Sequence, residues 1–289
     1  MFYFTNGCAR IESVFNEPAN PHPAPVDLDT GFDNLAGYLQ FNDFESCQSY
    51  LSEISEILKT NGSALTNLIH SDGDNLLFRC IKNGTSPEVI QLLIEEYGFW
   101  TDLCVENKRP ILLAFENGRK DVFDYLKNTC SLNFIIDGNS FLHCLIENIA
   151  DSAEYRREKI AMFESILLRH PQINTQNQFG QAPSFFLWEQ RDRVPDWRQL
   201  MLSLVAAGAE LNSQHVPRGS RTPKPFYFSF FKLEKTQQNA EFLTTILEKA
   251  ELHLKADNKT GNQKKQEWFQ EFEQTGKEPS RKKQRAVRA

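Results

Sequence analysis

Nowhere in the 289 residues do eighteen apolar residues follow one another, so the sequence offers no helix able to cross a bilayer. Met1–Arg10 lacks the basic start and apolar run of a cleaved secretion signal; export by a route that needs no such signal stays open. No CxxC pair occurs among Cys8, Cys47, Cys80, Cys104, Cys130 and Cys144, and no two are closer than fourteen residues. That spacing excludes a zinc-finger module and is unlike a small disulfide-stapled domain. Buried thiols in a reducing compartment are the expectation. The chain also lacks HExxH, GxSxG and a phosphate-loop Gly-Lys-Ser/Thr pattern. Its histidines, His22, His70, His143, His170, His215 and His253, recur at no ligand spacing. Neither metal nor cofactor is expected, and the chain reads as non-enzymatic.

What is present is enough apolar content for a sizeable core, 40% of residues, under a mean hydropathy of -0.49. The net charge of -6 is uneven. From Lys255 onward ten basic and five acidic residues leave +5, so the preceding part carries -11. An acidic body repels a phosphate backbone, and no specific nucleic-acid partner is expected.

The chain falls into five parts. Residues 1–30 form a lead whose Pro18, Pro21, Pro23 and Pro25 oppose both helix and central strand. Residues 31–70 are helical, an N-terminal cap or small module, with Tyr50, Leu51, Ile54, Ile57 and Leu58 on one face before the Asn61-Gly62 break. Residues 71–262 repeat a larger pattern: a Gly/Asn turn, a short apolar helix, then a longer one. Aligned on Gly73, Asn107, Gly138, Gly180 and Thr222, the intervals are 34, 31, 42 and 42 residues. The longer two hold charged insertions, "ENIADSAEYRR" and "WEQRDRVPDW", expected as exposed loops. Residues 263–275 form a capping helix with Trp268, Phe269 and Phe272 on its apolar edge, and 276–289 is a basic tail of disordered composition.

Within the repeats, "GNSFLHCL" places Gly138, Ser140, Leu142 and His143 in order; "RPILLA" supplies Pro110, Ile111 and Ala114, with Gly118 beyond; "GQAPSFFL" supplies Gly180, Ala182 and Pro183. "LVAAGAELN" supplies Leu204, Val205, Gly208, Ala209 and Asn212, and the first unit keeps Gly73 and Leu77 with Phe78 in the histidine place. In this register the chain resembles the ankyrin repeat family, whose unit carries Gly-x-Thr-Pro-Leu-His-x-Ala and ends near Leu-Leu-x-x-Gly-Ala. The resemblance implies an all-α ankyrin-repeat solenoid of four to five divergent helix pairs, with His143 tying its turn by side-chain hydrogen bonds. Another helix-pair solenoid is the rival. The ankyrin resemblance implies a monomeric protein-protein interaction scaffold whose concave face includes Asp74, Lys108, Arg109, Asn139 and Phe179. Phe179 reads either as an anchor for a partner or as packing against the next finger. The divergence resembles ankyrin effectors that intracellular bacteria deliver by type IV secretion, which implies a eukaryotic host protein as partner and the host cytoplasm or nucleus as destination.

Other residues read in more than one way. Trp188, Arg191 and Arg193 are residue types common at interface hot spots, while Trp197 beside them reads equally as core edge. Lys282, Lys283 and Arg285 resemble a nuclear-import signal, and the same run serves as a nonspecific contact or a solubilising tail. A cysteine-dependent enzyme built on Cys8 or Cys47 with a distant histidine is the alternative of a different class, and a self-assembling repeat protein is the third.

Overall fold

The computed structural model describes residues 75–249 apart from 106, 170–171, 212–213 and 216–223, together with 259–275 and short pieces at 4–5, 8–9, 45, 48–49, 51–53 and 55–56. Asp74, Lys282, Lys283 and Arg285 lie outside the described residues, as do the side chains of Cys8 and Cys47. The chain divides into two compact units, Met1–His170 and Pro171–Ala289. The boundary falls inside the block expected as one repeat domain.

In the first unit a two-residue pair, β1 (Phe4–Thr5) with β2 (Cys8–Ala9), precedes three helix pairs. These are α1 (Leu76–Lys82) with α2 (Pro87–Glu95), α3 (Pro110–Glu116) with α4 (Lys120–Thr129), and α5 (Phe141–Asp151) with α6 (Arg156–Leu167). A small antiparallel hairpin, β3 (Ile135–Ile136) with β4 (Asn139–Ser140), leads into α5. The helices start where local chemistry dictates. Asn75 caps α1 by accepting from the Leu77 amide at 2.9 Å, while α2 and α3 each open on proline, whose missing donor and fixed φ suit the first helical position. The turn inside each pair repeats too. The Thr85 amide donates to the Cys80 carbonyl at 3.0 Å and the Arg119 amide to the Ala114 carbonyl at 2.8 Å, with Gly84 and Gly118 at positive φ in the two turns.

Packing follows the same period. The short helices stack on one another, α1 on α3 and α3 on α5, and the long helices likewise, α2 on α4 and α4 on α6. Each apolar stripe, such as Leu77 and Ile81, Val122 and Phe123, or Met162 and Phe163, is thereby buried against a neighbour. A single pair has no second surface for its stripe, so stacking creates the core. The helical piece around residue 51 joins this unit: Leu51 is buried, and the Tyr97 hydroxyl just past α2 meets the Gln48 carbonyl and the Ser52 hydroxyl at 3.4 and 3.3 Å.

The second unit contains α7 (Pro183–Glu189), α8 (Trp197–Ala206), a two-residue pair β5 (Gln214–His215) with β6 (Lys224–Pro225), a 3-10 helix at Phe226–Lys232, α9 (Gln237–Lys249) and α10 (Lys259–Thr275). Here α8 packs on α7 and α9. The interior is aromatic: Trp188, Trp197, Phe226, Phe230 and Phe242 meet edge to face at 4.9–6.3 Å, the arrangement that ring quadrupoles favour. α10 covers the 3-10 helix, with the Trp268 indole N–H donating to the Leu233 carbonyl at 3.2 Å and Lys235 paired to Glu271 at 2.8 Å.

The described fold is an all-α, multi-helix arrangement of adjacent packed pairs. First helices begin at 76, 110, 141 and 183, which reproduces spacings of 34, 31 and 42 residues. The first insertion is different from the expectation of an exposed loop. "ENIADSAEYRR" mostly lengthens helices: α5 has 11 residues against 7 in α1 and in α3, and α6 has 12 against 9 in α2 and 10 in α4, leaving only 152–155 between them. Charged residues prolong a solvated helix face as readily as they fill a loop. The second insertion is a turn, but Val194 within it is fully buried. No helix among the described residues is long and apolar enough to cross a membrane.

Candidate partner-binding surface

The turns between helix pairs display the side chains that the sequence singles out, and in the first unit those turns are cross-linked. Asn107 and Asp137 both adopt positive φ, at 62° and 49°. Asn and Asp tolerate this region because their short polar groups bond locally. The Asn107 amide donates to the Asp137 carboxylate at 2.9 Å, joining one turn to the next. Asp102 makes a second stitch. It accepts from the Arg109 guanidinium at 3.0 Å and from the Ser131 backbone amide at 3.1 Å. The Arg109 guanidinium also lies 4.3 Å from the Phe134 ring centroid, and its side chain is only 14% exposed. Arg109 therefore clamps neighbouring turns together. Lys108, one residue earlier, stays exposed and pairs with Glu116 at 2.7 Å. Asn139 lies half-buried in β4. At the start of α5 the Ser140 hydroxyl and His143 Nδ1 are 2.7 Å apart and buried, the turn-tying contact expected of that histidine.

Two exposed hydrophobic residues in these turns escape a reading of the sequence. Trp100 is 59% exposed and Ile135 is 53% exposed. Ile135 alternates with buried Phe134 and Ile136, a period-two signal that marks a strand with one solvated face.

In the second unit Phe179 is 74% exposed. Its display is built in. Buried Asn177 accepts through Oδ1 from the amides of Phe179 and Gln181, both at 3.0 Å, while its own carbonyl accepts from the Gly180 amide at 2.9 Å. Gln181 reaches on to Glu189 at the end of α7, at 2.7 Å. Gly180, at φ 71°, closes the turn. Trp188, by contrast, is a core residue, 7% exposed within the aromatic cluster. It serves the surface from beneath: the Arg191 guanidinium lies 4.5 Å from its ring centroid and donates to its carbonyl at 2.9 Å. Arg193 is exposed and donates to the Gln190 side chain at 3.1 Å.

Electrostatics here supports structure rather than chemistry. Partial burial acts against the charge of Asp121, but the Arg119 hydrogen bond and the Val122 amide outweigh it and hold the carboxyl below its ordinary range. Cys130 and Cys144 are free thiols, and Cys80 is buried and forms no disulfide; Cys104 departs from the expectation of six thiols in being disulfide-bonded. Burial pushes the Cys130 and Cys144 thiols up to about 12, reinforced by Asp102 at the first and by Glu147 and Asp137 at the second. At pH 7 their thiolate fraction is negligible. A maleimide or iodoacetamide probe is therefore expected to label both slowly in the folded protein and rapidly once urea unfolds it. Peptide mapping would reveal the opposite, fast labelling in the native state, if either were an activated nucleophile. No group of three or more His, Cys, Asp or Glu residues among the described ones is placed to hold a metal.

No protein-family model matches the sequence, and no curated protein matches it. Among solved structures the chain is similar to the crystal structure of the ankyrin repeat domain of Bcl-3, described as a unique member of the IkappaB protein family. The identity is 14% and the TM-score 0.51, over 74% of this chain and 85% of that one. At such identity the likeness concerns the fold. Together with the helix-pair packing it is consistent with an ankyrin-like fold.

Proposed function

We propose that this chain is a non-enzymatic scaffold that binds another protein through the turns that join its helix pairs. The observation that carries the reading is Phe179, a large apolar ring held in solvent by a turn that four hydrogen bonds around Asn177 and Gly180 hold in shape. A pre-ordered aromatic residue loses little conformational freedom on binding, which is why such residues dominate interface energetics. Lys108, Asn139, Arg191 and Arg193 supply polar contacts around their respective turns. Arg109 acts within this reading by holding adjacent turns in register.

A photo-crosslinking residue placed at position 179 tests it. Capture of a discrete partner is expected from position 179 and not from Glu241, an exposed residue of α9. Phe179→Ala should weaken the same complex at least about 30-fold, the effect of losing a hot spot worth ~2 kcal/mol, with unchanged thermal stability. Equal capture from both positions would refute a specific role for this turn.

The finer reading is a secreted bacterial effector acting on a host protein. Its support is the divergence of the repeats and the basic C-terminal sequence ending in "RKKQRAVRA". A translocation reporter fused to the chain, with and without residues 276–289, tests that step separately from binding.

A further inference from the structure

Two adjacent features stand at the start of α6 in the first unit. Tyr155, the residue before α6, has φ 53° and ψ 30° and gives the helix no side-chain cap. Among the described non-glycine residues at positive φ, Asn107 and Asp137 carry short polar side chains suited to that region, and Tyr155 does not. Its side chain, half exposed, lies against the preceding pair, with its Cβ and ring edge where a Cβ on Gly118 would be. One turn further on, Lys159 is fully buried and its Nζ has no hydrogen-bond partner. Burial lowers its pKa, with the Glu116 and Glu154 carboxylates acting the other way and Arg156 adding to the lowering. An interior amine without a hydrogen bond opposes folding in either protonation state.

The preceding pair shows what a satisfied residue at this place does. Arg119 stands three, four and seven residues before buried Val122, Phe123 and Leu126, and Lys159 stands at the same distances before Met162, Phe163 and Ile166. The Arg119 guanidinium reaches the carbonyls of Ile81 and Thr85 and the Asp121 carboxylate. Lysine has one terminal nitrogen in place of that fork, and at Lys159 it meets none of the equivalent acceptors.

We propose that the N-terminal turn of α6 is a release point built into the first unit, opening while α4 stays docked. Leaving the fold relaxes Tyr155 and returns the Lys159 amine to water, so both penalties vanish in one local event. Farther along the helix Met162, Phe163 and Ile166 remain the anchor. Local opening of this kind sets which element of a stack can be rearranged by a bound partner.

Hydrogen exchange on the full chain tests the proposal. The backbone amides of residues 159–163 should be at least tenfold less protected than those of 123–127 in α4. Lys159→Met, which keeps an unbranched side chain and removes the amine, should raise the α6 protection at least tenfold and leave α4 within twofold. Trypsin should cut after Arg156 and Arg157 in the wild type, and more slowly in the variant by the same factor. Lys159→Leu replaces Lys159→Met if the latter folds poorly. Protection in α6 equal to that in α4, or unchanged by removal of the amine, would overturn the proposal.

Discussion

Trp188→Ala is expected to destabilise the second unit by ~3–5 kcal/mol, the range for deleting a buried large aromatic side chain. The ring touches Trp197, Phe226 and Phe230, with centroids at 5.5, 6.3 and 5.0 Å, so its removal opens a cavity bounded by rigid rings that cannot all close in. The Arg191 guanidinium would also lose the face it stacks on. Trp188→Phe, which keeps one ring, should cost markedly less. Chemical denaturation followed by tryptophan fluorescence and circular dichroism measures both. A loss below about 1 kcal/mol for the alanine variant would mean that this cluster is not a packed core.

Gly118→Ala is the second large effect, with an expected loss of about 2–5 kcal/mol. Two causes add. At φ 65° an L-residue pays roughly 1–2 kcal/mol relative to glycine, and the new methyl overlaps the Tyr155 ring, an overpacking worth about 1–3 kcal/mol. The causes separate in a double-mutant cycle. In a Tyr155→Gly background the ring and the Cβ that the methyl would meet are both gone and only the backbone part remains, so Gly118→Ala should cost about 1–2 kcal/mol there. Equal losses in both backgrounds would show that the ring does not sit on this glycine.

Much of the fold is legible along the chain because it depends on neighbours in sequence. Asn75 caps its helix, Pro87, Pro110 and Pro183 open theirs, and each of these requirements is met within a turn of the residue concerned. The Ser140–His143 contact spans three residues and is readable for the same reason. The candidate surface is less so. Arg109 resembles a free binding residue until Asp102 and Phe134 are seen to engage it, and Trp188 resembles a hot spot until Phe226 and Phe230 surround it. Lys159 looks like an ordinary charged residue of an amphipathic helix until its burial is known.

The residues themselves determined the period, the alternation of short and long helices and the places where each begins, since caps, prolines and apolar spacing act over a few residues. Only the tertiary structure decided which polar and aromatic side chains remain in water. Exposure is set by what neighbouring turns and helix pairs bring against a residue from beyond its own helical turn, and a composition of charged and aromatic residues is compatible with either outcome until that packing exists.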